Sequence, residues 1–428
     1  MRRVNLALAA RPGYNGREMR TRGLNACAAL LLLGLLAAAS NAATPPRPKA
    51  AGPYAESLDT VVITADEAPV TLAGTVLDRV KKGRWFGVTA QKGDLLRIQF
   101  WGGRNLRTGW VRAADARVLT DADVDLTAEA LRLAKEFDPK LDVAACRARV
   151  DALAARVAQA AAAGATPRAK AERISRQLFA AEGFRYEVAA RTLDRVLDEK
   201  RGNCLGLSLL YLCAAERLGL AFHMLSFPNH ALIRYDDGKE QFNVEPSWGG
   251  PTFVDDAYMK QRFGPPRGIG WSVLSKPQTM TVLYADLGAI LGEHKRLAEA
   301  TECFVRAVEI NPDSGMAYYN WGNVLAAQGQ NALACEKYSR TTQLHPTFVD
   351  AYNNWGASLH KMGEREWAVE KFATAAKLSP RSAMVHLNWG LVLLELGKNE
   401  EATDKLFKAV QLNPALKPFV DQALGRSQ

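Results

Sequence analysis

Arg201-Gly-Asn-Cys-Leu-Gly-Leu-Ser-Leu-Leu-Tyr-Leu212 decides how this chain is read. A Gly-Asn turn runs into an apolar stretch of helix length that ends at Gly219, which predicts a largely buried helix with Cys204 in its first turn. Unpaired N–H groups and the positive end of the helix dipole favour a thiolate there. A nucleophile of this kind needs a base within reach, and the downstream sequence offers one. Ala221–Phe227 reads as a strand, broken by Pro228-Asn229; His230–Tyr235 reads as a second strand and Gln241–Glu245 as a third. The Asp237-Gly238 pair between the last two is a strong hairpin signal. A two-residue loop there sets His230 directly opposite Glu245, with Cβ atoms about 4.5–5.5 Å apart. The same register puts His230, Leu232, Arg234, Gln241, Asn243 and Glu245 on one face. Ala231, Ile233, Phe242 and Val244 share the other, which is the expected core face.

A cysteine at a helix N-terminus, then a strand histidine, then a strand carboxylate is the Cys-His-acid arrangement of thiol acyl transfer. The order and spacing resemble the transglutaminase-like superfamily, whose fold is papain-like. Arg201–Leu212 and Glu245-Pro-Ser-Trp-Gly-Gly250 are most similar to the branch with C-terminal tetratricopeptide repeats. Many members of that branch lack the cysteine, and this chain has it. The wider superfamily usually carries Asp where this chain has Glu245. The resemblance implies Cys204 as nucleophile, His230 as general base and acid, and Glu245 as orienter of the imidazole. For the oxyanion, the Cys204 backbone N–H is the natural donor, with Asn203 and Asn229 as side-chain candidates.

Outward from this centre the chain of 428 residues has room for two to four domains, and 48% apolar with 23% charged residues marks it as globular. Residues 1–42 read as a signal peptide: arginines precede the apolar run Ala28–Ala39, and Ser40-Asn41-Ala42 supplies small residues for cleavage. Its six arginines against Glu18 carry about half of the chain's net charge of +10. The mildly basic remainder, without a lysine tract or stacked-aromatic groove, points away from nucleic acid. Export to the periplasm or outside the cell is therefore expected; an uncleaved membrane tether is the alternative. Cleavage leaves Cys146, Cys204, Cys213, Cys303 and Cys335, an odd number that implies at least one free thiol. Their spacing suggests no metal site, and no cofactor motif is present.

Residues 43–57 form a Pro-rich linker. Short alternating strands with Gly turns in 58–120 predict a small all-β barrel. Lys92-Gly-Asp-Leu-Leu-Arg-Ile98 and Thr108-Gly-Trp-Val111 resemble the bacterial SH3-like domain. That resemblance implies cell-wall material or peptide as a ligand, with Trp101 and Trp110 either lining a groove or filling the barrel core. Helical periodicity over Leu126–Phe137, Val143–Ala162 and Ala169–Ala181 supplies support helices for an α+β domain spanning 124–265. Pro312, Pro346, Pro380 and Pro414 are spaced by 34, as are Trp321, Trp355 and Trp389. The step predicts four tetratricopeptide repeats and a capping helix in 281–428, an all-α solenoid suited to a protein or peptide partner. Its tryptophans read as scaffold packing, while Asn320, Asn354 and Asn388 are candidates for bonds to a partner. Two functions follow: an exported cysteine-dependent peptide or isopeptide hydrolase, or a non-catalytic repeat scaffold with a degenerate transglutaminase-like domain.

Overall fold

Period-2 alternation between residues 60 and 119 is realised as seven antiparallel strands. They are β1 (Thr60–Ile63), β2 (Glu67–Leu72), β3 (Thr75–Lys81), β4 (Trp85–Lys92), β5 (Leu95–Gly102), β6 (Asn105–Arg112) and β7 (Ala116–Leu119). The structure, a computed structural model, describes residues 59–102, 105–188, 192–227, 230–250, 252–263 and 272–425. The expected signal segment and Pro-rich linker lie outside these residues, as does Asn229. Inward side chains Val61, Ile63, Val70, Phe86, Val88, Ile98, Phe100 and Val111 make one core, around which register shifts in β2 and β4 bend the sheet. The strand order β3-β2-β6-β5-β4-β1-β7 runs open from end to end. The closed barrel expected from the sequence is therefore not formed by the described ladders. Alternation and Gly turns specify strands and hairpins; they do not specify whether the two end strands meet.

The central domain begins with helices α1 (Leu126–Phe137), α2 (Val143–Ala161) and α3 (Pro167–Ser175), the last running on as a π turn over Arg176–Ala181. Asp125, Asp142 and Thr166 cap them, each side chain accepting a first-turn N–H. There follow β8 (Arg185–Tyr186), α4 (Leu193–Glu199), β9 (Arg201–Gly202), α5 (Cys204–Glu216), β10 (Phe222–Phe227), β11 (His230–Asp236), β12 (Gln241–Val244), β13 (Phe253–Val254), α6 (Asp256–Phe263) and β14 (Ser272–Leu274). The last five strands form one sheet in the order β13-β12-β11-β10-β14. Helix α5 is apolar on every side because it is surrounded: Leu205 through Ala215 are all buried. The Tyr211 hydroxyl donates to the Ala171 carbonyl at 2.8 Å and pins α5 to α3.

Eight helices pair in the third region: α7 (Lys276–Glu293) with α8 (Leu297–Ile310), α9 (Gly315–Ala327) with α10 (Asn331–Leu344), α11 (Val349–Lys361) with α12 (Arg365–Leu378), and α13 (Ala383–Glu395) with α14 (Asn399–Leu412). The short α15 (Lys417–Ala423) follows. Small residues recur because paired helices touch: a Cβ on Gly322 would lie 2.6 Å from Cε1 of Tyr338, whose hydroxyl is held by Asn323 at 2.8 Å. Gly322→Ala is expected to overpack this contact and cost about 1–3 kcal/mol, read as a lower midpoint in chemical denaturation.

The N-terminal sheet is not a free module. Gly87 of β4 lies so close to α8 that a Cβ would come 2.4 Å from the Ile310 carbonyl oxygen. Arg84 pairs with buried Glu309, and the Trp101 N–H donates to the same carboxylate at 2.9 Å. The Trp101 ring packs 5.4 Å from that of Trp321. Its indole is thus committed to the solenoid, a use that neither the groove nor the barrel-core reading anticipates.

Candidate active site

Cys204 opens α5. The Asn203 side chain caps the helix, accepting the Gly206 N–H at 2.7 Å, and the Asn203 carbonyl takes the Leu207 N–H at 3.0 Å. The approach is fixed by a parallel pairing of β8 with β9, Tyr186 against Gly202. Gly202 has little room, since a Cβ would meet Val196 and Leu207 side chains at 3.0–3.2 Å. One helical turn beyond Cys204, the Ser208 hydroxyl donates to the Ala231 carbonyl at 3.4 Å. Residues four apart share a helix face, so this bond brings the head of α5 beside His230.

The hairpin that carries the other two residues closes differently from the sequence expectation. Observed pairs are Asp236 with Gln241, Tyr235 with Phe242, Arg234 with Asn243 and Ile233 with Val244. The loop is therefore Asp237–Glu240 and not the two-residue Asp237-Gly238. The cause is local: Asp237 Oδ1 accepts the N–H groups of Lys239 and Glu240 at 2.9 and 2.8 Å, and Asp236 Oδ1 accepts that of Gly238 at 3.0 Å. These turns stabilise a longer loop and shift the register by two. An even shift keeps every side chain on its face. Ala231, Ile233, Phe242 and Val244 still enter the main core. The opposite face is also covered: Leu232 packs with Leu225, Phe227, Val254 and Met259, and Arg234, Asn243 and Glu245 are buried.

His230 is thus not directly across from Glu245, yet the two meet. Continued by one residue, the register sets Glu245 level with Leu232, diagonal to His230. The longer reach of glutamate spans that diagonal, and Glu245 Oε2 lies 2.6 Å from His230 Nε2. The other carboxylate oxygen, Oε1, accepts the Ser247 N–H at 3.1 Å and the Ser247 hydroxyl at 2.6 Å. Glu245 is 1% exposed, so both oxygens are fixed in a dry setting. With Nε2 on Glu245, Nδ1 is the nitrogen left for the sulfur. Burial alone would pull the His230 pKa down, but hydrogen bonds to Cys204 and Glu245, and the charges of both, outweigh it and raise the pKa from 6.5 to about 10. The imidazole is held between a sulfur and a carboxylate. Ser247 escaped the sequence reading; its signal was only its place two residues after the acid.

The four other described cysteines differ from Cys204. All are buried, whereas Cys204 is half-buried, and none of the five forms a disulfide. Burial pushes the thiols of Cys213, Cys303 and Cys335 up to about 12 and raises that of Cys146. Far from the site, Asn354 donates to Asn323 at 2.9 Å and to Tyr319 at 3.3 Å, while Asn388 donates to Asn353 at 3.0 Å. These amides link helices of successive repeats, and Asn320 is half-buried on α9.

Comparison with known proteins agrees with this layout. Residues 144–264 match the model of the transglutaminase-like superfamily. Residues 282–314 match a tetratricopeptide repeat and 322–363 a TPR repeat. The chain therefore carries a transglutaminase-like domain followed by C-terminal tetratricopeptide repeats. No curated protein matches it. Among solved structures, MamA from Desulfovibrio magneticus RS-1 is 19% identical, with TM-score 0.30, covering 33% of this chain and 85% of its own. Pseudomonas aeruginosa PilF is 25% identical, with TM-score 0.32, covering 34% and 67%. The first TPR of Spaghetti (RPAP3), bound to an HSP90 peptide, is 15% identical, with TM-score 0.28, covering 28% and 95%.

Proposed function

We propose that the chain is an exported, cysteine-dependent acyl-transfer enzyme that hydrolyses peptide or isopeptide bonds, with repeats that bind a protein. The observation that carries this reading is the 2.6 Å pair of His230 with the buried Glu245 carboxylate, with Cys204 at the head of α5 among the groups that raise the His230 pKa. The thiolate of Cys204 attacks the carbonyl carbon, and the carbonyl π pair moves to oxygen. The N–H groups of Cys204 and Leu205 stand outside the Asn203 capping scheme and are the donors for that oxyanion. As the C–N bond breaks, the His230 imidazolium gives its proton to the leaving amine. The neutral imidazole then takes a proton from water, whose oxygen attacks the thioester. Collapse releases the acid and restores thiolate and imidazolium. Glu245 orients the ring throughout and balances its charge. Water suffices as acceptor, so hydrolysis needs no amine-donor site.

The pH dependence tests this reading. His230 is raised above its unfolded value, so its contribution to stability is complete below pH 6.5 and is lost as pH rises through about 10. The stability difference between the native chain and His230→Asn should shrink over that window in chemical denaturation. Cleavage of a peptide or isopeptide substrate should persist above pH 8 and fall with an alkaline limb near pH 10. A limb near 6.5, or a rate unmoved by His230→Asn, would refute the imidazolium's role.

A further inference from the structure

The 34-residue step that spaces the helices also spaces an indole–ammonium pair. Lys337 Nζ lies 4.3 Å from the ring centroid of Trp321, Lys371 Nζ 4.4 Å from Trp355, and Lys405 Nζ 4.5 Å from Trp389. At the first step the pair is covered by the chain itself. The Trp101 ring sits 5.4 Å from that of Trp321, and Lys337 Nζ lies 5.9 Å from its centroid. The Trp101 backbone N–H donates to Glu309. Gln99, two residues earlier and so on the same face of β5, donates to the Tyr318 hydroxyl at 2.7 Å and to the Val308 carbonyl at 3.3 Å. Trp321 is 1% exposed as a result, while Trp355 and Trp389 are only half-buried.

Moving 34 residues along the chain reproduces this socket. Gln343 stands where Glu309 stood, Tyr352 where Tyr318 stood, Trp355 for Trp321 and Lys371 for Lys337. Gln343 keeps an oxygen that can accept a main-chain N–H, and Tyr352 keeps the phenol. One step further on, Lys377 removes the acceptor and His386 the phenol. The second step alone therefore keeps an acceptor, a phenol, an indole and an ammonium together, with the neutral Gln343 amide in place of the Glu309 carboxylate. Lys371 also pairs with Glu370 at 3.0 Å and lies 5.9 Å from the ring centroid of Trp367 on its own helix, so its charge is balanced and a further uncharged aromatic ring would add to an existing aromatic wall.

We propose that Gln343, Tyr352, Trp355 and Lys371 form a docking site for an extended segment of a partner protein that presents an amide side chain and, two residues later, a tryptophan. That segment seats as Gln99 and Trp101 seat one repeat earlier, continuing the contact between sheet and solenoid. The proposal rests on the reading of the repeats as protein-binding and is independent of the chemistry at Cys204.

The test uses the full chain and a fluorescein-labelled peptide with the sequence of Leu95–Gly102, whose own copy in the chain leaves only the second socket open. Fluorescence anisotropy should show saturable binding, weakened at least tenfold by Trp355→Ala and by Lys371→Met, and lost when the peptide tryptophan is alanine. Gln343→Lys, which copies the third step, should weaken binding in the same direction and guards against a Trp355→Ala variant that fails to fold. Binding unmoved by all three variants overturns the proposal, as does absence of binding. Loss through Trp321→Ala with Trp355→Ala silent also overturns it, since the peptide would then displace β5. Loss through Asn354→Ala with the socket variants silent overturns the socket but leaves protein binding by the repeats standing.

Discussion

Iodoacetamide is expected to modify Cys204 and to leave the other described cysteines untouched in the folded chain, and Cys204→Ala to abolish both the labelling and the hydrolysis. Thiols held near 12, as for Cys213, Cys303 and Cys335, are thiolate in only about one molecule in 10⁵ at neutral pH. They are also closed off by their own packing. Cys204 is half-buried and is coupled to an imidazole whose pKa is raised to about 10, which favours its charged form. The expected loss of hydrolysis on Cys204→Ala is on the order of 10⁴-fold or more, because every later step needs the thioester. Peptide mapping by mass spectrometry after brief alkylation reads the first outcome. Labelling spread over Cys204 and Cys213 alike would remove the case for an activated thiol and leave the repeats as the functional part of the chain.

Removing the carboxylate has a double effect. Glu245→Ala leaves a charged, half-buried imidazole without its partner and Ser247 without its acceptor, where the carboxylate had been 1% exposed. The expected cost is about 3–5 kcal/mol of stability. Glu245→Gln separates fold from chemistry: the amide keeps an oxygen and the shape but not the charge. It should leave the chain folded and lower the turnover rate on the order of 10²–10⁴-fold with little change in substrate affinity. It should also move the alkaline limb of His230 toward its ordinary value, since one of the charges that raises it is gone. A Glu245→Gln variant that folds and turns over at the native rate would make the carboxylate a packing element only.

Residue pattern made some features legible and left others hidden, for physical reasons. The helix headed by Cys204 could be read because a cap, an apolar run and a terminating glycine are all local signals. The 34-residue period was visible for the same reason. The meeting of His230 with Glu245 was foreseen through a wrong register. The pattern fixed which residues share a face, which an even slip preserves, but loop length depended on Asx hydrogen bonds of Asp236 and Asp237 that outcompeted a two-residue turn. What remained hidden was long-range: the openness of the N-terminal sheet, the use of Trp101 against Trp321, and the short β14 beside β10. None of these has a signature in neighbouring residues, because each depends on which surfaces meet after folding.

The grip of β4 and β5 on α8 and α9 joins points of the chain roughly 200 residues apart, with the transglutaminase-like domain strung between them. Topologically this is a non-covalent buckle. A single nick in the intervening polypeptide should leave two fragments that travel together on a sizing column. Arg84 and Glu309 thereby limit how far the transglutaminase-like domain can expand when it begins to unfold.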